Sequence, residues 1–251
     1  MSDEIDRRAF GATMVAGAAV AASLLATRDG AAQQHGGASA RPGGRPGPLL
    51  AAPAEKTIVP LPFAPASLEG LSEHLITSHH DNNYASAVRK LNEIRTELGS
   101  ADPTHAGAYW SLYGSLKASE LAARNSAFLH EMYFANLAAR EQPPAPMGEM
   151  LSQRFGSLER FTAQMRGAAL AASGWVVLVA DPASHTLEIV STEGHAFGSW
   201  HAEPLLVLDV FEHAFAIDFG ANKGAYLDAF FRNVKWSEVA TRTTRAMGRM
   251  A

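Results

Sequence analysis

Three histidines and one aspartate stand where they could share a single metal ion. His79 and His130 fall on the apolar stripes of two predicted helices, and Asp209 and His213 lie four residues apart after the apolar run LLVL. A carboxylate at the end of a buried strand is costly unless it is paired or coordinated. Three imidazoles and one carboxylate suit iron, manganese or zinc, and their spacing does not choose among these metals.

Each of these residues has a simpler interpretation when it is taken alone. A histidine on the apolar face of a helix is by default a core residue with satisfied hydrogen bonds. Asp209 and His213 alone favour no more than an Asp–His hydrogen bond. Two such histidines on consecutive helices favour a shared site, because helices joined by a short connection pack face to face.

The helices that must position the two histidines are indicated by spacings of three and four. Leu71, Leu75 and His79 lie four apart, and apolar residues continue at these spacings, which predicts a helix over about 67–98. A second helix is predicted over about 119–139, with His130 on its apolar face. Together these elements predict an N-terminal domain over residues 59–145 that is an antiparallel helical hairpin.

Residues 146–251 are predicted to form a C-terminal α/β domain. Two short helices are indicated at about 149–155 and 158–173. The runs WVVLVA, TLEIVST and LLVLDV then predict a small three-stranded antiparallel sheet, and helices return after it. The fold class is therefore α+β, a helical hairpin followed by an α/β part.

The first 58 residues predict an export signal and a linker. Arg7 and Arg8 precede a mildly apolar run rich in alanine and glycine, and residues 1–32 resemble a twin-arginine signal peptide. An uncleaved membrane anchor is the alternative. Residues 33–58 are rich in glycine, proline and alanine and predict a disordered linker. We therefore expect a periplasmic protein that has no membrane partner once the signal has been cleaved.

Composition excludes several other kinds of chemistry. The chain of 251 residues has no cysteine, which excludes disulfides, thiolate metal ligands and cysteine nucleophiles. Its formal net charge of −4 gives no indication of a nucleic-acid partner.

Several segments resemble the iron/manganese superoxide dismutase family. They are VPLPFAPASLEGLSEHLITSHHDNNYASAVRKLN, FLHEMYF, SGWVVLVA, LLVLDVFEHAFAIDF and NVKWSEVA, within about residues 58–245. The resemblance implies one iron or manganese ion per subunit, held by His79, His130, Asp209 and His213. It also implies that superoxide is converted to dioxygen and hydrogen peroxide while the metal alternates between its trivalent and divalent states.

The resemblance implies further roles around the metal. Trp175, Phe211 and Tyr133 would surround it. His195 would hydrogen-bond metal-bound solvent and adjust the reduction potential, a role that other family members give to an amide. Glu212 would bond a ligand histidine of a partner subunit in a homodimer or homotetramer.

Three positions depart from the family pattern along the route to the metal. Asn83 replaces a histidine, Ala87 replaces the gateway tyrosine, and Ala216 replaces a tyrosine that pairs across the dimer. Tyr84 is no substitute, because it lies about 300° around a helix from position 87. The other position from which the family supplies an amide is Ser126.

The sequence leaves three functions open. The first is a superoxide dismutase, and the second is a metal-binding dismutase-like protein with little or no such activity. The third is a zinc metallohydrolase that uses a bound hydroxide, for which no separate general base is evident. Metal content distinguishes the third from the other two.

Overall fold

Two long helices carry the histidines of the N-terminal half and lie side by side. The structure, a computed structural model, describes residues 54–107 and 110–248. In this part of the chain α2 spans Ala85–Ser100 and α3 spans Leu112–Ala135. Tyr84 contacts Glu131, and Arg95 contacts Glu120, so the two helices run antiparallel. The predicted export signal and most of the predicted linker lie outside the described residues.

The helix predicted over about 67–98 is interrupted at the first metal-ligand candidate. Helix α1 spans Glu73–Ser78, and a π-helical segment, His79–Tyr84, separates it from α2. Within this segment the Ala85 N–H bonds to the carbonyl of His80, five residues earlier. A π-helical turn inside a helix changes the direction of the side chains that follow it. The segment therefore sets where His79 points relative to α2.

The second predicted helix is longer than its apolar pattern indicated. It was expected to begin near residue 119, but α3 begins at Leu112, where the Ser111 hydroxyl accepts a hydrogen bond from the Gly114 N–H. The first turns of α3 are partly exposed and carry little apolar periodicity, which is why the pattern did not reveal them. His130 lies in the penultimate turn, and the helix ends five residues later.

The C-terminal half places helices around a small antiparallel sheet. Helices α4 and α5 precede the sheet, and α6, α7 and α8 follow it. Their bounds are Ala145–Phe155, Leu158–Ala171, Ala216–Phe219, Lys223–Arg232 and Trp236–Gly248. The strands are β1 (Trp175–Asp181), β2 (Thr186–Thr192) and β3 (Glu203–Asp209), in the order β2-β1-β3. The α+β fold class is confirmed.

The sheet forms the centre of the main core. All seven residues of β1 are buried, because the other two strands flank this strand and helices contact it as well. β3 is also largely buried, and its last residue is Asp209. Buried apolar residues of α3, α4, α5, α7 and α8 belong to the same core cluster. The strand that delivers Asp209 is thus fixed inside the best-packed part of the molecule.

β3 is an edge strand whose outer side is bonded by side chains. Asn136 is fully buried; its amide accepts from the Val207 N–H (2.8 Å) and donates to the Val207 carbonyl (3.2 Å). Arg242 donates to the Leu205 carbonyl (3.0 Å) and to the Met132 carbonyl (3.3 Å). These bonds satisfy backbone groups that an edge strand would otherwise leave unpaired. They also join β3 to the end of α3.

Residues 54–58, at the end of the predicted linker, lie along α2. The Lys56 N–H bonds to the Asn92 side chain, and the Lys56 ammonium pairs with Glu131. The described residues all belong to one compact unit. The predicted division at residue 145 within this unit stays a prediction. None of the described helices has the length and apolar character needed to span a membrane.

Candidate metal centre

His79, His130, Asp209 and His213 converge on one point. One nitrogen of each imidazole and one carboxylate oxygen all lie within 4.8 Å of one another. The Nε2 atoms of His79, His213 and His130 are 3.1, 3.2 and 3.6 Å from Asp209 Oδ2. Two ligand atoms about 2.1 Å from one ion lie roughly 3.0–3.6 Å apart when the angle between them is about 90–120°. The three distances therefore fit ligands that share one ion.

Four separate elements deliver these side chains. His79 opens the π-helical segment, His130 lies near the end of α3, Asp209 ends β3, and His213 lies in a 3₁₀ turn, Glu212–Ala214. That turn brings Asp209 and His213 to the same side, as their spacing predicted. His79, His130 and Asp209 are buried, whereas the His213 side chain is 25% exposed. The site therefore approaches solvent on the side of His213.

The hydrogen bonds of His130 leave one nitrogen directed at the site without a partner. His130 Nδ1 donates to the Ser126 carbonyl at 2.7 Å, which leaves the lone pair of the neutral ring on Nε2. That buried Nε2 atom has no hydrogen-bond partner among the described residues, and neither does His79 Nδ1. Burial lowers the pKa of His130 to about 3, so the ring is neutral near neutral pH. A neutral imidazole with a free lone pair is what a metal ion requires.

Asp209 supplies the negative charge of the site. Burial opposes its ionisation, but the hydrogen bonds from His213 and His79 outweigh burial and hold the pKa of Asp209 below its usual range. Its other carboxylate oxygen, Oδ1, accepts the Phe211 N–H at 2.9 Å. Asp209 is thus an ionised, fully buried carboxylate whose two oxygens are both held in place.

Aromatic side chains lie around the four residues. Trp175 meets the His130 ring edge-on at 5.1 Å, Phe211 stacks on His213 at 5.4 Å, and the Tyr133 ring lies 5.1 Å from that of His79. Trp175 and Tyr133 are fully buried. These rings exclude water from most sides of the site, which strengthens electrostatic interactions within it.

His195 lies beside the site in the segment after β2. The Trp175 indole N–H donates to His195 Nδ1 at 3.0 Å, so the proton of the neutral His195 ring must be on Nε2. Phe211 stacks on the His195 ring at 4.7 Å. The centroid of the His195 ring is 6.2 Å from that of His130. Burial is the main cause of a lowered His195 pKa. His195 is thus held as a neutral N–H donor next to the four residues.

The residues predicted on the approach to the metal differ in exposure. Asn83 and Ala87 are half-buried in the π-helical segment and α2, and Ala216 is exposed at the start of α6. The Glu212 side chain is exposed and makes no hydrogen bond or ion pair with the described residues. Tyr84 is buried, and its hydroxyl donates to the Glu131 carboxylate.

Sequence reasoning did not identify Tyr226 as part of the site. Its hydroxyl donates to the Asp209 carbonyl at 2.7 Å and lies 3.2 Å from the Tyr133 hydroxyl. Tyr226 and Phe230 lie four apart on the apolar face of α7, a spacing that indicates only a core position. Ser126, the alternative amide position, contributes its main-chain carbonyl to His130, and its hydroxyl is 3.4 Å from His130 Nδ1.

The chain has an α+β fold in which aromatic side chains surround three imidazoles and one carboxylate. This arrangement defines a mononuclear metalloprotein with nitrogen and oxygen ligands. Residues 143–242 match the family model described as "Iron/manganese superoxide dismutases, C-terminal domain". The chain is also similar to whole proteins that carry this family's name, and it belongs to the iron/manganese superoxide dismutase family.

The relatives include proteins named for each metal. "Superoxide dismutase [Fe]" of Cupriavidus metallidurans is 40% identical over 191 residues, which cover 75% of this chain and 96% of that protein. "Superoxide dismutase [Mn] 1" of Halobacterium salinarum is 34% identical, over 78% of this chain and 98% of the relative. "Superoxide dismutase [Fe]" of Aquifex aeolicus is 33% identical, over 73% and 89%. Similarity alone therefore leaves iron and manganese equally open.

We expect the metal-free protein to lose stability as the pH falls below about 6.5. His130 has a folded-state pKa of about 3 against an ordinary 6.5. Between these two pH values the His130 side chain binds a proton in the unfolded chain but not in the folded chain. Stability present above pH 6.5 is therefore lost as the pH falls toward 3. Burial lowers the pKa of His79 as well, in the same direction. From His130 alone we expect a loss of about 2 kcal/mol between about pH 6.5 and pH 4.5.

Urea unfolding in the presence of a chelator measures this dependence. His130→Gln should flatten it, whereas His74→Gln, a change at an exposed histidine of α1, should leave it as in the wild type. A His130→Gln variant with the wild-type dependence would show that another group is responsible.

Proposed function

We propose that this protein is a superoxide dismutase that converts superoxide to dioxygen and hydrogen peroxide with one iron or manganese ion per subunit. The observation that carries the proposal is the convergence of His79, His130, His213 and Asp209 within 4.8 Å. Relatives named superoxide dismutase, which align along most of this chain, support the same activity.

The residues of the site would hold the ion and leave it attractive to an anion. A bound iron or manganese ion supplies one-electron chemistry by alternating between its trivalent and divalent states. Imidazoles that coordinate a metal are neutral, and Asp209 would carry one negative charge, so the residues would offset only part of the charge of a divalent or trivalent ion. The remaining positive charge favours the approach of superoxide.

His195 would hold a proton at the edge of the site. The Trp175 indole bond places that proton on Nε2, from which it can be donated to solvent or substrate at the site. Trp175 and Phe211 keep the ring in this orientation through contacts on two sides. A donor whose orientation is fixed in advance stabilises a developing anion without further rearrangement. We propose that His195 adjusts the reduction potential in this way.

The replaced approach residues favour a second candidate, a metal-binding relative with little dismutase activity. Ala87 and Ala216 offer no hydroxyl, and Asn83 offers an amide where an imidazole is expected. A zinc metallohydrolase has weaker support. Among the described residues, no further carboxylate or histidine joins the four that converge, so the site has no evident general base.

Metal content and activity measured together test the function. We expect protein purified from its native compartment to contain about one iron or manganese per subunit and to remove superoxide in proportion to that metal. Asp209→Asn and a chelated sample should lose both, because Asp209 contributes the only charged ligand.

Full occupancy by iron or manganese without superoxide removal would favour the second candidate. Zinc as the main metal would favour the third. Either result would overturn the proposed activity.

Replacement of His195 tests its proposed role. We expect His195→Ala to keep its metal but to lose at least about tenfold in turnover and to change reduction potential, because a donor to bound solvent is removed. His201→Ala is the matched control, since His201 is an exposed histidine of the same segment. An unchanged potential in the His195→Ala variant would mean that this side chain does not act on the metal.

We propose that the protein is a homodimer or homotetramer in which Glu212 contributes to the interface. Its exposed carboxylate has no partner within the described chain and adjoins His213. Glu212→Ala should shift the assembly toward monomers in sedimentation velocity at micromolar concentration. The exposed Glu73→Ala should not. An assembly unaffected by the loss of Glu212 would contradict this role.

We propose that the protein is exported to the periplasm by the twin-arginine route. The support is the Arg7–Arg8 pair ahead of a mildly apolar segment. Cell fractionation should place the protein in the periplasm and the Arg7→Lys, Arg8→Lys double variant in the cytoplasm. Identical distribution of both proteins would count against the route.

A further inference from the structure

The end of β3 depends on a side-chain hydrogen bond from α7. The Val210 N–H bonds to the Gly174 carbonyl, so Gly174 and Val210 form a hydrogen-bonded pair of the antiparallel ladder. Such pairs alternate with non-bonded ones, and the next pair is Trp175 with Asp209. The backbone groups of Asp209 therefore point away from β1, toward the outer edge of the sheet. There the Tyr226 hydroxyl donates a hydrogen bond to the Asp209 carbonyl, at 2.7 Å.

Tyr226 completes a row of side chains along this outer edge. Arg242 bonds to the Leu205 carbonyl, Asn136 bonds to both backbone groups of Val207, and Tyr226 bonds to the carbonyl of Asp209. The row replaces the strand that this edge lacks. Its last bond is made to a metal-ligand candidate itself.

A second hydroxyl supports Tyr226 from the opposite side. The Tyr226 hydroxyl gives its one proton to the Asp209 carbonyl, which can only accept. The Tyr133 hydroxyl, 3.2 Å away, must therefore donate to Tyr226. Both tyrosines are fully buried, so neither hydroxyl is exposed to bulk water. The order of donation is Tyr133, then Tyr226, then Asp209.

The same two residues contact ligand candidates from both halves of the chain. The Tyr133 ring lies 5.1 Å from the ring of His79, in the π-helical segment. Its hydroxyl acts through Tyr226 on Asp209, which is 130 residues further along the chain than His79. The Asp209 carboxylate accepts a hydrogen bond from the Phe211 N–H, and the Asp209 main-chain carbonyl accepts one from the Tyr226 hydroxyl.

We propose that Tyr133 and Tyr226 are positioning residues that hold Asp209 and His79 at the spacing a shared metal ion requires. The inference rests on the proposed function in that the ion is taken to be iron or manganese. Removal of the Tyr226 hydroxyl would free the end of β3 and allow Asp209 Oδ2 to move relative to the imidazoles. Groups that orient metal ligands commonly change metal affinity by about 10- to 100-fold when they are removed.

Three variants and one control test the proposal by manganese(II) binding to the metal-free protein. We expect Tyr226→Phe to weaken manganese(II) binding about tenfold or more and Tyr133→Phe to weaken it a few fold. The double variant should resemble Tyr226→Phe, because the Tyr133 hydroxyl acts through Tyr226. Tyr84→Phe removes the hydroxyl of another buried tyrosine, which bonds to Glu131 and the Val59 N–H. It should change the affinity less than about twofold. In manganese-loaded protein, the reduction potential should shift in Tyr226→Phe and not in Tyr84→Phe.

Thermal unfolding of the metal-free variants tests the direction of the hydrogen bonds. Tyr226→Phe leaves the buried Tyr133 hydroxyl without an acceptor, which is costly. Tyr133→Phe should therefore lower the Tm of the wild type but raise the Tm of the Tyr226→Phe variant. A lowering of the same size in both backgrounds would contradict the order of donation.

Equal losses of affinity in Tyr226→Phe and Tyr84→Phe, or an unshifted potential in Tyr226→Phe, would overturn the positioning role. Manganese(II) affinity does not depend on turnover. A wild type that binds manganese(II) but does not remove superoxide would end the proposed function and leave this comparison intact.

Discussion

The rest of the structure depends on a negative charge, that of Asp209, buried at the end of β3. A carboxylate in such a place is tolerated only with partners that offset the loss of water. Asp209 has them in the imidazole N–H groups of His79 and His213 on Oδ2 and in the Phe211 N–H on Oδ1. His79 comes from the π-helical segment and His213 from the 3₁₀ turn, so this one charge joins residues from both halves of the chain.

The imidazoles and Asp209 alone do not satisfy all the hydrogen-bonding groups of the site. His130 Nε2 is buried with its lone pair unpartnered. Asp209 Oδ2 faces three imidazole nitrogens, and only two of them form hydrogen bonds with it. A single cation among the four side chains satisfies all of them at once. The surrounding structure holds this geometry from outside: Asn136 and Arg242 join β3 to the end of α3, and Trp175 fixes the ring of His195.

Periodicity and local motifs were enough to predict a large part of this arrangement. The spacing of Leu71, Leu75 and His79 predicted an inward-facing histidine, and the apolar run before Asp209 predicted a buried strand end. The π-helical segment was not predictable, because its sequence, HHDNNY, is largely polar and carries no apolar spacing from which its period could be inferred. Tyr226 was missed because a hydrogen bond to a carbonyl 17 residues away leaves no period in the sequence. The export signal stays a prediction, since it lies outside the described residues.

The most direct test of the shared metal site is anomalous X-ray diffraction from crystals of the metal-loaded protein at the iron and manganese absorption edges. The shared metal site requires one iron or manganese peak per chain, bonded to Asp209 Oδ2 and to the Nε2 atoms of His79, His130 and His213, at about 2.0–2.2 Å. An anomalous peak elsewhere in the chain, or an ion that lacks any one of these four ligands, would contradict it.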